Sequence, residues 1–441
     1  MEGIFLSAVV ITVLMFIVLF VFLFLGLPVA LGLGGTAVVF AMIFEPRVLM
    51  SAPSQFFSTP WQHIIVTVPL FIFMGNIIRF SGIAEKAYDA AYKIIGQFPG
   101  GLAAGTVQVC MIFAAITGIT PPATITMGQI AYPSMIKYNY SKKIAIGSIA
   151  AGGALGALIP PSIPFIFYGV LANESIGALF LGGVIPGIML AIMYSIYIIV
   201  RCTIQPQMGP ATPKDERFSL SEKLLSVFSI WPFIILIVLV LGVIWTGVAT
   251  PSEAAAIGAA GALLINAVYG KLTWKLIKDS LIFTVNLTGM GLWILIGANF
   301  FVNVFSAVGG QGVITNIVLS MPGGDMGILL SMMFIVLILG MVMDDWAIIM
   351  MTTPLFIPIL NQVGIDTLWY GILLVVNIQI AYLTPPFGFV LFWIKSILPK
   401  NVHMGTVYKA VLPFIAIQLI ALTILIVFPE VALWLPNKLL K

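Results

Sequence analysis

Charge is what this sequence lacks most: only 8% of its 441 residues are Asp, Glu, Lys or Arg, while 61% are hydrophobic and the mean hydropathy is +1.17. So few polar side chains cannot cover a water-facing surface of this size, which excludes a soluble domain. Cysteine is nearly absent. Cys110 and Cys202 stand alone in or beside apolar stretches and support neither a disulfide framework nor a metal site. The two histidines, His63 and His403, are equally solitary and read as interfacial residues. No spacing resembles a metal-ligand set, so neither a catalytic metal nor an organic cofactor is expected. The net charge of +4 is small and spread along the chain, which leaves nucleic acid no footprint. Also missing is the polar–apolar alternation over about ten residues that marks a transmembrane β-barrel.

What is present is a succession of apolar runs, near 4–25, 27–44, 63–80, 103–119, 144–172, 176–200, 226–247, 252–269, 281–305, 326–343, 346–360, 368–397 and 408–428. About 20 apolar residues cross a bilayer core. Some runs have that length; the shorter ones, flanked by Gly or Pro, read as re-entrant hairpins. The first run has no basic leader before it and passes through Leu27-Pro28 into the next, so it reads as a retained helix rather than a signal peptide. Trp61, Trp231, Trp245, Trp369 and Trp434 fit interfacial belts. The expected fold class is an all-α polytopic membrane protein.

The polar stretch 201–223, with Arg201, Lys214, Asp215, Glu216, Arg217 and Lys223, reads as an exposed linker, and its cations place it in the cytoplasm. The sequences on either side superpose with a shift of about 225. Phe80-Ser81-Gly82-Ile83 falls on Phe305-Ser306-Ala307-Val308, Pro99-Gly100-Gly101 on Pro322-Gly323-Gly324, and Ile159-Pro160-Pro161 on Thr384-Pro385-Pro386. This divides the chain into a first repeat over 1–200, a linker over 201–225 and a second repeat over 226–441, as in secondary transporters. The segment 79–98 carries Arg79, Glu85, Lys86, Asp89 and Lys93 with the spacing of an amphipathic interfacial helix, whereas its counterpart 304–321 carries no charge. Charge on one copy and none on the other indicates that the copies face opposite sides of the membrane, so the repeats are inverted, with both termini periplasmic.

Irregular backbone survives in lipid only where it is packed in protein or lines a cavity. Two places break the helix inside apolar sequence: 159–164, with Pro160, Pro161 and Ser162, and 383–388, with Thr384, Pro385, Pro386 and Gly388. Carbonyls freed at such breaks suit a hard cation such as Na⁺, and the N–H groups opening the next half-helix suit a carboxylate. About 42 residues upstream of each lies a second irregular segment, Thr117-Gly118-Ile119-Thr120-Pro121-Pro122 and Gly340 to Trp346. Each reads as the tip of a hairpin meeting the break of its own half. Thr117 and Thr120 offer hydroxyls; Asp344 and Asp345 offer intramembrane carboxylates, which are functional by default. The alternative role for an aspartate here is to cap the helix that follows. Thr250-Pro251-Ser252-Glu253 reads as a capping box. Asn76, Asn286, Asn299 and Asn303 are interhelical or substrate contacts.

Several stretches resemble the large membrane subunit of TRAP (tripartite ATP-independent periplasmic) transporters: Ala150-Ala151-Gly152-Gly153 through Leu158-Ile159-Pro160-Pro161-Ser162, Pro186-Gly187, Ala249-Thr250-Pro251-Ser252-Glu253-Ala254, Gly364-Ile365-Asp366, and Leu383-Thr384-Pro385-Pro386-Phe387-Gly388. The resemblance covers essentially the whole chain in order. It implies an elevator-type inner-membrane carrier taking up a small organic acid by Na⁺ symport, with a small four-helix membrane subunit and a periplasmic substrate-binding protein as partners. The ion-binding candidates are Thr117, Gly118, Thr120, Pro160, Ser162, Asp344, Asp345, Thr384 and Gly388; the substrate candidates are Ser162, Asn299, Asn377 and Thr384. One departure is plain: where the family's first tip usually reads Ser-Gly-Ser-Ser-Ala-Ala-Thr, this chain has Thr117-Gly118-Ile119-Thr120-Pro121-Pro122-Ala123. Alternatives are a symporter acting without a binding protein and, from another class, an intramembrane aspartyl hydrolase. The latter requires carboxylates converging from separate helices, which adjacent aspartates do not supply, so the chain reads as a non-enzyme.

Overall fold

The structure, a computed structural model, describes residues 2–58, 63–213, 217–228, 230–386 and 388–440. Trp61, Lys214, Asp215, Glu216, Phe387 and the side chain of His63, all singled out above, lie outside the described residues. The described chain is all-helical. Its first half contains α1 (Glu2–Phe24), α2 (Val29–Phe44), α3 (Pro46–Ser58), α4 (Thr67–Arg79), α5 (Ile83–Ile95), α6 (Gly101–Thr117), α7 (Thr120–Lys137), α8 (Lys142–Ala154), α9 (Ile163–Ala172) and α10 (Ile176–Ile204). The second contains α11 (Leu220–Phe228), α12 (Trp231–Trp245), α13 (Pro251–Val268), α14 (Trp274–Ala307), α15 (Gly310–Leu319), α16 (Gly324–Gly340), α17 (Asp345–Val363), α18 (Thr367–Leu383), α19 (Phe389–Ile397), α20 (Met404–Val427) and α21 (Glu430–Leu439).

Local chemistry sets the helix ends. Ser141, Ser175, Thr273 and Asp366 each cap a helix by accepting a backbone N–H, and Thr250 with Glu253 closes the expected capping box. Among the described residues five helices are long and apolar enough to cross a membrane, or up to seven if each of two bent pairs counts as one span. The bend between α4 and α5 is 62°. Beyond it, α5 is amphipathic as expected, burying Ile83, Ala84, Ala87, Tyr88 and Ala91 while its charged residues face away. Shorter apolar helices (α6, α9, α16 and α18 among them) are the arms of hairpins and the halves of broken helices. Apolar side chains such as Val10, Ile17, Val238, Val285 and Phe334 stay half or more exposed on the periphery, which only a lipid surround makes favourable.

The helix order repeats. α6 and α16 are both 17 residues long, each follows a left-handed glycine corner (Gly100, φ 75°; Gly323, φ 104°), and each is followed by a tip, a second arm, a central helix and a break. Glycine corners at Gly82 and Gly309 likewise precede α5 and α15. The central helices α8 and α18 are buried almost throughout. Contacts are exchanged between halves: α2 packs on α14 and α13 on α4, while α9 packs on α17 and α19 on α7. One element differs. The region corresponding to α3 and α4 is continuous in the second half as the 34-residue α14.

The polar stretch after α10 is exposed over much of its length, as expected, but it is also pinned to the helices beside it. α10 continues to Ile204, Cys202 is fully buried, and the following strap is pinned: Gly100 N–H donates to Gly209 O at 2.8 Å, Ser141 N–H to Met208 O at 2.9 Å, and Thr212 N–H to Gly96 O at 2.9 Å. Polar sequence alone does not reveal that backbone groups are already spoken for. Trp369 also departs from its expected belt position; it is 9% exposed, and its Nε1–H donates to Leu425 O at 3.0 Å.

These contacts bring the strap, the corner before α6 and the α7–α8 loop to one end of the molecule. That end carries Lys137, Lys142, Lys143 and Arg201, and the parallel packing of α19 on α7 adds Lys395 and Lys400. At the opposite end the α9–α10 and α17–α18 loops meet, where Thr367 Oγ1 donates to Glu174 and Tyr168 donates to Thr367 O at 2.6 Å. Glu174 and Asp366 lie there, and α21, packed on α10 and α18, adds Glu430 and Lys438.

Candidate ion and substrate site

The two tips converge on one cavity. It is lined by Ile119, Thr120 and Pro121 from the first tip and Asp344, Asp345 and Trp346 from the second, with Trp393 of α19 and Leu287 and Met290 of α14 closing it. Its volume is about 60 Å³. A small-molecule pocket holds roughly 300 Å³ or more, so this conformation admits an ion with a little water rather than an organic acid.

The first tip is held by glycine. α6 ends on Gly118 in the left-handed conformation (φ 64°), and the chain enters α7 through extended Ile119. A Cβ at Gly118 would collide with the carbonyl oxygen of Pro161, and Gly118 O accepts from Ile163 N–H at 3.2 Å. The tip therefore seats directly on the break of its own half. Pro121 and Pro122, the departure noted above, fall in the first turn of α7, where an N–H has no intrahelical acceptor and proline is tolerated. Thr120 is buried, and its hydroxyl has no hydrogen-bond partner.

The second tip is organised by side chains. Asp344 is the N-cap of α17 and accepts from Ala347 N–H at 2.8 Å. Asp345 accepts from Trp346 N–H at 3.1 Å, and its own backbone N–H donates to the Tyr382 hydroxyl at 2.7 Å. Tyr382 belongs to the last turn of α18, so this tip too meets the break of its own half. Close packing supports the contact, since a Cβ at Gly340 would run into Ala381. Both aspartates are partly exposed to the cavity.

The candidates thus fall into three places. Thr120, Asp344 and Asp345 share the cavity. Thr117, Gly118, Pro160 and Ser162 form the seat behind it: Thr117 Oγ1 reaches Phe113 O (3.1 Å) and Ile119 O (3.3 Å), while Ser162 caps α9 and donates to Ala157 O. Thr384 and Gly388 lie at the second break, with the Thr384 hydroxyl bonded to Ile380 O at 2.7 Å and Gly388 N–H to Thr384 O at 3.2 Å. Asn377 is turned onto the neighbouring hairpin arm, its Nδ2 donating to Met333 O at 2.6 Å, and neither it nor Asn299 lines the cavity. Asn76 bonds within its own helix, to Ile72 O at 2.9 Å.

Sequence reasoning missed Tyr382, Trp393, Leu287 and Met290. Nothing local marks α19 and α14: α14 packs on α17 within its own half, and α19 reaches the first tip by packing on α7 of the other half. The helix starts around the cavity also differ. Asp344 caps α17, Ser162 caps α9, and α7 opens with prolines, whereas α19 begins at Gly388 with no side-chain cap.

Comparison with known proteins agrees with this architecture. The family model described as "Tripartite ATP-independent periplasmic transporter, DctM component" matches residues 16–431. The chain is 33% identical over 413 residues to the C4-dicarboxylate TRAP transporter large permease protein DctM of Pseudomonas aeruginosa, covering 93% of this chain and 94% of that one. It is 29% identical to the sialic acid TRAP transporter large permease protein SiaM of Vibrio cholerae, covering 94% and 96%. Among solved structures, MtrF of Neisseria gonorrhoeae, described as illuminating a class of antimetabolite efflux pumps, superposes with a TM-score of 0.61 at 14% identity, over 88% of this chain and 84% of that one. That likeness concerns the fold.

Proposed function

The chain belongs to the DctM-component family of tripartite ATP-independent periplasmic transporters, an integral multi-pass membrane protein, and on that premise we propose that it takes up a small organic anion by Na⁺ symport. A periplasmic binding protein delivers the anion, and a small membrane subunit completes the permease in the inner membrane. The observation that carries the coupling is the charge of the cavity: two carboxylates, Asp344 and Asp345, and no Lys or Arg among its lining residues. At low dielectric, unscreened like charges a few ångströms apart repel by many kcal/mol. An organic anion can therefore approach only after cations have bound. Oxygen ligands suit a hard cation, and the Thr120 hydroxyl beside Asp345 is one with no other partner.

In this reading Na⁺ binds between the tips first, and the anion follows against it. The uncapped start of α19 orients the anion's carboxylate, since N–H groups there are not taken by a cap. Because the cavity is smaller than any organic acid, the tips must part or the core must shift against α14 during the cycle, as in an elevator. The basic end, with Lys142 and Lys143, faces the cytoplasm and the end with Glu174 and Asp366 the periplasm. A membrane-impermeant thiol reagent applied from outside should label Glu174→Cys and spare Lys142→Cys; the reverse pattern would overturn the orientation.

Proteoliposomes holding the chain with its two partners should accumulate labelled succinate or sialic acid under an inward Na⁺ gradient. Equal uptake with K⁺ replacing Na⁺ would overturn the coupling. Thr120→Val is expected to leave thermal stability unchanged, because the lost hydroxyl has no partner to strand, and to weaken apparent Na⁺ affinity about tenfold, the loss of one ligand of roughly 1.4 kcal/mol. Unchanged Na⁺ affinity would remove Thr120 from the site.

A further inference from the structure

At the basic end, where the strap crosses α5, lies a second pocket unrelated to the cavity between the tips. It is lined by Tyr92, Lys93, Gln97, Thr212, Arg217, Phe218 and Lys223, and is shallow: its volume is about 10 Å³ against the 60 Å³ of the cavity between the tips, so a bound group sits at its mouth. Among the described residues no carboxylate lines it. Lys93 pairs with Asp89 at 2.6 Å and lies over the Phe218 ring at 5.4 Å, which fixes its position. Lys223 reaches Gln97 Oε1 at 3.5 Å, and neither Lys223 nor Arg217 has an acidic partner among the described residues. The nearby Glu222 is committed to the start of α11, accepting from Ser219 N–H and Oγ at 2.8 Å. Thr212 also lines it: it is 6% exposed, its backbone is tied to Gly96, and its hydroxyl, buried against Gly96, has no partner. Three clustered cations, Lys93, Arg217 and Lys223, are a donor set for an anion with several acceptor oxygens.

What the anion is attached to follows from α11. That helix turns Lys223 and Ser226 toward α5 and leaves Leu220, Leu224, Leu225 and Phe228 exposed by 74, 53, 73 and 64%. Leucines projecting beside a cationic pocket, on a short helix leading into membrane-spanning α12, place the pocket at headgroup depth with the apolar side chains among acyl tails. We infer that this pocket binds the phosphate of an anionic phospholipid of the cytoplasmic leaflet. Bound there, the lipid staples the strap and α11 to α5 at the corner from which α6, the first arm of the first hairpin, departs.

The test uses the purified full chain in a neutral detergent, followed through thermal unfolding by tryptophan fluorescence. Dioleoyl-phosphatidylglycerol should raise the melting temperature by several degrees, while dioleoyl-phosphatidylcholine and inorganic phosphate should not. The Arg217→Gln/Lys223→Gln double variant should lose that shift. Lys142→Gln/Lys143→Gln, which removes the same charge elsewhere on the basic end, should keep it. The proposal fails if phosphatidylglycerol gives no shift, if the two double variants respond alike, or if inorganic phosphate reproduces the effect, since the last result would make this a site for a soluble anion.

Discussion

Gly118→Val is expected to lower uptake at least about 100-fold while the protein still reaches the membrane in normal amount. Two costs act together. A β-branched residue in the left-handed conformation costs roughly 1–2 kcal/mol or more. The new Cβ also overlaps the Pro161 carbonyl oxygen, which is backbone and cannot swing aside while Ile163 N–H is bonded to Gly118 O. The tip must lift from the break. Displacing Thr120 by even one ångström removes it from the geometry a small cation needs, and about 2.7 kcal/mol is a factor of 100. Gly118→Ala should fall between. The equivalent second-tip residue, Met341, sits at φ −74°, so Met341→Val should be mild by comparison. Uptake and membrane abundance measured on the same preparations decide the matter; Gly118→Val transporting at half the normal rate would show that the tip need not seat on the break.

The second large effect separates the two aspartates. Asp345→Asn should lose Na⁺-dependent uptake by about 100-fold or more, because a buried cation loses its charged ligand and with it several kcal/mol of attraction. Asp344→Asn should keep much of its activity if capping is its main task, since Asn is nearly as good an N-cap as Asp, whereas Asp344→Ala removes the cap and costs about 1 kcal/mol of stability. The adjacent residues thus give opposite signatures: charge matters at 345, and side-chain acceptance of the Ala347 N–H matters at 344. Equal loss in both Asn variants would mean that both carboxylates ligate the ion. Tyr382→Phe removes the hydroxyl that receives the Asp345 N–H and should loosen the tip without removing its charge, raising the Na⁺ concentration needed for half-maximal uptake.

Much of this was legible because membrane proteins write their constraints plainly. Apolar runs gave the class, and Pro160-Pro161 and Pro385-Pro386 marked the breaks, since two prolines leave a helix little choice. The upstream tips were visible as Thr-Gly-Ile-Thr and Asp-Asp inside apolar sequence. On the residues alone either aspartate could cap or coordinate; the structure shows Asp344 capping α17, and coordination by Asp345 is our proposal. What stayed hidden depends on long-range packing. Nothing local in Tyr382, Trp393 or Met290 announces that it meets a tip far off in sequence, and the exchange of α9 and α19 between halves leaves no periodic signature. The strap after α10 misled for the same reason. Its composition is that of an exposed linker, but its N–H and C=O groups close hydrogen bonds onto two corners, the one before α6 and the α7–α8 loop.

The claim that the cavity between the tips is a cation site is tested most directly by binding of radiolabelled Na⁺ to the purified chain, with no substrate or partner required. The account predicts saturable binding to the unaltered chain, loss of that binding in Asp345→Asn, and retention in Arg217→Gln/Lys223→Gln, whose substitutions lie at the separate basic pocket. Saturable binding that survives Asp345→Asn unchanged, or its absence from the unaltered chain while Na⁺-free uptake proceeds, would contradict it.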